Sequence, residues 1–198
     1  MPDPVVPDHV VLVGLMGSGK TTAGKKLAKL VGRRFVDADV ELEARTGRSV
    51  ADWFEQDGEE GFRRAESELL ADLLTAEEAL VVGSGGGVVV VETNRSRLRA
   101  EGVTVVYLHG EPEFLASRAE AKPHRPLLQG DPRAVFADLY AQRDPWYREV
   151  ADAVVEIRPA HDAGEKPKWR IAETVAEVLV DLGVVAADEV ADREASKR

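Results

Sequence analysis

His9-Val-Val-Leu-Val13, followed by Gly14-Leu-Met-Gly-Ser-Gly-Lys-Thr21, decides the fold. An apolar run with no polar alternation predicts a strand buried on both faces. The next eight residues satisfy G-x-x-x-x-G-K-[ST] in full, a P-loop set between that strand and a helix. Glycine lets the backbone wrap closely around an anion, so that successive N–H groups and the helix N-terminus face it. Gly17, Ser18, Gly19, Lys20, Thr21 and Thr22 are therefore candidates for holding a nucleoside triphosphate. Lys20 reaches the β- and γ-phosphates, and the Thr21 hydroxyl is a candidate Mg²⁺ ligand. The expected ligands are a nucleoside triphosphate and Mg²⁺.

Outward from this loop the chain alternates β and α. Ala23, Leu27, Leu30 and Val31 share one helix face, and Gly32 ends that helix. Arg34–Val36 reads as a short strand leading into Asp37-Ala38-Asp39, then a helix over Val40–Thr46 stopped by Gly47. Ser49-Val-Ala-Asp52 is a capping-box signature for another short helix, and Gly58–Ala76 supports a longer one. Leu80-Val-Val, Val103–Leu108 and Ala153–Ile157 read as buried strands, with helices at Pro112–Ala119, from Pro132 to about Arg143, and at Trp169–Leu182. Five apolar strands separated by helices imply an α/β protein, a five-stranded parallel sheet in a three-layer α/β/α sandwich. The expected organisation is a flexible leader over 1–8, one domain over 9–183 and a charged tail over 184–198.

A length of 198 residues suits one such domain. No apolar stretch approaches the 18 or so residues of a membrane span, and the N-terminus lacks the basic and apolar regions of a signal peptide. The absence of cysteine removes disulfides and thiolate metal sites and fits a cytoplasmic location. His9, His109, His124 and His161 have no ligand spacing and read as structural or surface residues. A net charge of −10 argues against nucleic acid as partner. Of the 26 cationic residues 18 are Arg, whose planar fork suits small carboxylates and phosphates. The partner is expected to be a small molecule, without nucleic acid or membrane, and the protein a monomer.

Several constellations carry chemistry. Asp37 and Asp39 follow strand two, and in an open parallel sheet ligands bind outside the carboxyl ends of the strands. Both side chains on one side of an extended tip would suit a metal role and a substrate role; an acidic helix N-terminus explains them as well. Gly83-Ser-Gly-Gly-Gly87 permits close backbone approach and positive φ. No Asp ends this strand, which directs Mg²⁺ support toward Asp37. Arg63 and Glu66 are spaced as a helix ion pair, or as a substrate clamp and its orienting carboxylate. The polar, Pro-containing stretch Glu120–Pro132 carries Arg125 and reads either as a surface loop or as a phosphoryl-transfer lid. Pro145 is expected to end the helix that carries Arg143, and Trp146 and Tyr147 read as packing residues.

The ordered set GLMGSGKT, DAD, GFRRAE, GSGGG, RPLL and RDPWY resembles the shikimate kinase family over roughly residues 9–158. The resemblance implies a nucleoside-monophosphate-kinase-like fold with strand order 2-3-1-4-5, and transfer of the ATP γ-phosphoryl group to the 3-hydroxyl of shikimate. It implies Lys20 on the phosphates, Thr21 with Asp37 on Mg²⁺, and Asp39 on the substrate hydroxyls as acceptor of the 3-hydroxyl proton. It further implies Arg63, Arg143 and the glycines Gly85, Gly86 and Gly87 on the shikimate carboxylate, with Glu66 orienting that group. Arg125 corresponds to a lid arginine on the phosphates and Arg118 to an arginine packed on adenine. The chain departs from the family pattern at Gly83-Ser84 and at Arg158–Pro167, where adenine contacts would fall. A kinase of gluconate, or of a cyclic polyol other than shikimate, is the rival reading, but would not need Arg63 and Arg143 together. A P-loop regulatory module would not need Lys20, Asp37, Asp39 and Arg125 together.

Overall fold

In the computed structural model the apolar run His9–Val13 forms strand β1, and every residue of it is buried. The structure describes residues 8–120, 131–164 and 166–190. β1 lies at the centre of a five-stranded sheet with β2 (Arg34–Asp37), β3 (Leu80–Gly83), β4 (Val103–His109) and β5 (Ala153–Glu156). The order is β2-β3-β1-β4-β5 and every pairing is parallel, as expected. Parallel strands all point the same way, so the loops after β1, β2, β3 and β4 gather at one edge of the sheet. The connection after β1 leads to β2 on one side, whereas that after β3 leads to β4 on the other, and the crevice between such diverging connections is where ligands bind in open parallel sheets.

The helices are α1 (Lys20–Val31), α2 (Ala38–Thr46), α3 (Val50–Leu74), α4 (Glu92–Leu98), α5 (Pro112–Glu120), α6 (Pro132–Val150), α7 (Ile157–Asp162) and α8 (Pro167–Asp181). α1 packs on α8, whereas α3, α4 and α6 pack together around a 3₁₀ turn at Val88–Val90. The capping box at Ser49 is formed, with Asp52 accepting from the Ser49 N–H at 2.9 Å. Gly58, at φ 68°, breaks α3 into the two helical pieces that the sequence suggests. Among the described residues no helix is long and apolar enough to cross a membrane.

Phe35 of β2 shows how closely the layers meet. Its ring lies where a side chain on Gly24 of α1 would have to be, and a Cβ on Gly83 of β3 would come within 3.1 Å of its Cζ. Two glycines therefore seat one aromatic ring between α1, β2 and β3.

Two expectations are corrected, and a segment left without an assignment is defined. Helix α6 does not end near Arg143 but runs through Pro145 to Val150. Pro145 cannot donate to the carbonyl of Ala141, a local cost of about 3 kcal/mol, yet Tyr147 and Val150 beyond it are buried in the core, and that packing prevails. Arg158–Pro167, where the chain departs from the family pattern, contains most of α7; Pro159 sits in its first turn, where an N–H has no helical partner to lose. The segment expected as tail begins with packed residues: the Val184 carbonyl accepts from Arg33 at 2.9 Å and Val185 is buried.

Candidate functional site

The loop Gly14–Gly19 is shaped by three glycines in the positive-φ region, Gly14 (141°), Gly17 (85°) and Gly19 (98°). Gly14 is also held close to β4, since a Cβ there would lie 2.7 Å from the Leu108 carbonyl oxygen. Any side chain at these positions would be strained. The loop closes on itself through Ser18 N–H to Leu15 O, at 3.2 Å. Lys20, at the start of α1, donates its ammonium to the carbonyls of Gly14 (2.7 Å) and Leu15 (3.0 Å) and so stands over the loop. Thr22, in the first turn of α1, is half-buried and donates its N–H to Gly19 O.

Thr21 and Asp37 meet across the sheet edge. The Thr21 hydroxyl donates to Asp37 Oδ2 at 2.6 Å, while Asp37 Oδ1 caps α2 by accepting from Val40 N–H. A hydroxyl and a carboxylate beside a P-loop form a hard-oxygen donor pair of the kind Mg²⁺ takes along with substrate phosphates. Among the described residues no cluster of three or more His, Asp or Glu could hold a metal without such help. Asp39 does not share an extended tip with Asp37: β2 ends at Asp37, and Asp39 lies in the first turn of α2. Asp39 opens to solvent on one side, yet the protein around its carboxyl raises its pKa. The Asp37 charge adds to that rise, and Lys20 and Arg63 oppose it.

Beside Asp39, the second half of α3 supplies Arg63 and Glu66. Arg63 donates to Glu66 Oε2 at 2.8 Å and to Glu59 at 3.1 Å. Glu66 is 4% exposed, and burial raises its pKa against the pull of Arg63. Its Oε1 has no hydrogen-bond partner among the described residues and points at the glycine segment. The glycines after β3 are there for space rather than for backbone conformation, because none of Gly83, Gly85, Gly86 and Gly87 takes a positive φ. A Cβ on Gly85 would collide with Glu66, and one on Gly87 with the Arg63 guanidinium. A Cβ on Gly86 would lie 3.6 Å from Gly14 O and from Met16 N, so this residue abuts the P-loop.

Arg143 arrives from α6 and donates to Gly86 O at 3.0 Å. The Tyr147 hydroxyl, one helical turn on, donates to the same carbonyl. Continuation of α6 through Pro145 is what puts Arg143 and Tyr147 on one face, at i and i+4. α6 is tied to β4 by Asp144, which accepts from Tyr107 at 3.0 Å. His109, at the end of β4, bridges Tyr140 of α6 (2.9 Å) and Glu156 of β5 (2.7 Å).

On the other side of the P-loop, Arg118 of α5 donates from Nε to Gly17 O at 3.3 Å. These contacts bring Lys20, Thr21, Asp37, Asp39, Arg63, Gly85, Gly86, Gly87 and Arg143 together beside the loop, with Arg118 on Gly17 O. Arg125 and most of the expected lid lie outside the described residues. Two residues read from the sequence as packing or structural have polar roles. Tyr147 is fully buried, and a buried phenol needs a partner, which was the available signal. His161, on α7, lies against Arg118, and nothing in its spacing pointed there.

The family model for shikimate kinase matches residues 16–181. A shikimate kinase of Thiobacillus denitrificans is 49% identical over 158 residues, 79% of this chain and 85% of that protein. One from Aromatoleum aromaticum is 53% identical over 148 residues, 74% and 83% of the two chains. Among solved structures, the shikimate kinase from Acinetobacter baumannii in complex with shikimate is similar with a TM-score of 0.78 at 37% identity, covering 90% of this chain and 95% of that one.

Proposed function

The chain belongs to the shikimate kinase family, and we propose that it transfers the γ-phosphoryl group of ATP to the 3-hydroxyl of shikimate, giving shikimate 3-phosphate and ADP on the route to chorismate. One observation carries this reading. Gly86 abuts the P-loop backbone while its carbonyl gathers Arg143 and Tyr147, so an anion-binding loop and an arginine-lined crevice share a wall.

On this reading the P-loop N–H groups and Lys20 hold the β- and γ-phosphates, where Lys20 neutralises charge on the transferring group. Arg63 and Arg143, with the Gly85–Gly87 backbone, grip the shikimate carboxylate, and Glu66 keeps Arg63 turned toward it. Asp39 orients the 3-hydroxyl. As the hydroxyl oxygen bonds to γ-phosphorus and the bond to the β–γ bridging oxygen breaks, Asp39 takes the hydroxyl proton. Its raised pKa makes it a better acceptor than an ordinary carboxylate. Thr21 and Asp37 would hold Mg²⁺, which would supply positive charge to offset that of the phosphates. Arg118 serves the nucleotide, and Arg125, in a lid over about 120–132, closes on the phosphates. The working form is a cytoplasmic monomer, and a net charge of −10 disfavours a polyanionic partner.

The test is ADP release with ATP and Mg²⁺, measured with and without shikimate, and with quinate and gluconate as alternative acceptors. Shikimate-dependent turnover, with a phosphate monoester on the 3-oxygen by ³¹P NMR, is the expected result. Equal ADP release without acceptor, or preference for gluconate, would discard the reading.

A further inference from the structure

Gly85, Gly86 and Gly87 do not dictate their own course, since each lacks a side chain and none takes a positive φ. That course is imposed from the two ends of the segment. Upstream, Ser84 is fastened to β1, its N–H (3.1 Å) and its hydroxyl (2.9 Å) both donating to Leu12 O. Downstream lies the 3₁₀ turn Val88–Val90, whose N–H groups reach back to the glycines. Val88 donates to Gly85 O at 3.3 Å and Val90 to Gly87 O at 2.9 Å. With Arg143 and Tyr147 on Gly86 O, all three glycine carbonyls are engaged. A trans peptide points its N–H opposite its C=O, so the Gly86 N–H faces away from the turn and the Gly87 N–H away from α6. Neither N–H has a hydrogen-bond acceptor among the described residues. Gly86 alone over 81–89 is partly open to solvent.

Two side chains of α4 hold the turn. Asn94, fully buried, donates to Val88 O at 3.1 Å. Arg95 donates from Nη1 to Val89 O (2.7 Å) and Val90 O (3.2 Å). The same guanidinium faces α6: its carbon lies 5.0 Å from the centre of the Trp146 ring, and its Nε 3.4 Å from Glu149 Oε2. The Arg95 side chain is only 14% exposed, so its charge is held in place. α6 is also the helix that brings Arg143 and Tyr147 to Gly86 from the other side. We infer that Arg95 is a positioning residue for the acceptor, keeping the glycine segment and Arg143 in one register through the 3₁₀ turn and α6. This rests on the reading of Gly85–Gly87, Arg63 and Arg143 as the grip on the shikimate carboxylate. Without the guanidinium the Val89 and Val90 carbonyls lose their donor, and three consecutive glycines have little of their own to stay in place. Arg95 has no hydrogen bond or ion pair with the P-loop, so its influence falls on the acceptor side.

The experiment uses the full chain and measures the KM values of shikimate and ATP, together with shikimate and ADP dissociation constants by titration calorimetry. R95M keeps an unbranched side chain and removes the donors and the charge. It is expected to raise the shikimate KM and dissociation constant by about three- to thirtyfold, part of the worth of a charge-assisted hydrogen bond because the effect is passed on through the turn. The ATP KM and the ADP constant should stay within about twofold, and R95K, which keeps the charge and N–H donors, should recover part of the loss. R99M is the control for helix packing alone: Arg99 joins α4 to the same Glu149 at 2.7 Å but touches no carbonyl of the turn. Its shikimate KM should stay within about twofold of wild type. A wild-type shikimate KM in R95M, an equal rise in both KM values, an equal rise in R99M, or no recovery in R95K would overturn the inference. If R95M does not fold, R95Q, with a shorter side chain and an amide in place of the fork, makes the same comparison. Wild-type chain that neither binds nor phosphorylates shikimate would overturn the acceptor reading and this inference together. Normal transfer to shikimate by wild type and R95M alike would sink the role of Arg95 alone.

Discussion

The two halves of the crevice are built by different means. On the proposed reading the nucleotide half is main chain: six consecutive residues, with Gly14, Gly17 and Gly19 at positive φ, shape a cradle that would offer backbone N–H groups as donors. The acceptor half is side chains drawn from α2, α3 and α6, and its glycines serve by lacking a Cβ where Arg63 and Glu66 must lie. A backbone cradle recognises a group common to all nucleoside triphosphates. A ring of charged side chains recognises the particular charge and shape of one small acid. The difference predicts that damage to the first half strikes turnover as a whole, whereas damage to the second is selective for the acceptor.

Four substitutions sharpen that contrast. Lys20→Ala should lower kcat by about a thousandfold or more, since it removes the charge over the transferring phosphoryl group; near-normal turnover would break the assignment of the nucleotide half. Asp39→Asn should reduce kcat by about 10²- to 10⁴-fold, the range of a general base, with ADP affinity retained in calorimetry. Asp39 must be ionised to accept a proton, and its raised pKa leaves less of it ionised at a given acidic pH than an ordinary aspartate. The acid limb of the kcat/KM profile should accordingly fall at higher pH than for an unperturbed carboxylate. Arg143→Ala should raise the shikimate KM by about 10- to 100-fold, the worth of a charge-assisted hydrogen bond, and leave the ATP KM nearly unchanged. If both KM values rise together, the two halves are not separable at Gly86. Tyr147→Phe, which removes one donor from the Gly86 carbonyl, should change the shikimate KM by only about two- to tenfold.

This asymmetry also governs what can be read from the chain. The P-loop is contiguous, and its glycines sit where the backbone demands them, so Gly14–Thr21 announced both the parallel sheet and the anion site. Asp37 was legible because a carboxylate at a strand's end is a local feature. The convergence of Arg63 and Arg143 was not, the two being 80 positions apart in sequence and both brought to the glycine segment after β3, Arg143 on Gly86 O and Arg63 against Gly87. It came from resemblance rather than from spacing. Pro145 misled because its local preference opposes helix, while burial of Tyr147 and Val150 decides in favour of one. α7 left no trace for the opposite reason: six residues including a proline carry too little periodicity to mark a helix.

Phe35, wedged between Gly24 and Gly83, links all of this to variation. Gly24 lies three residues after Thr21, and Phe35 two before Asp37, so the ring acts as a spacer between the elements bearing that hydroxyl and that carboxylate. Positions 24, 35 and 83 therefore form a single unit of change. A methyl at Gly24 requires the ring to shrink or move away, one at Gly83 requires it to give by a few tenths of an ångström, and either change bears on the gap across which Thr21 and Asp37 meet.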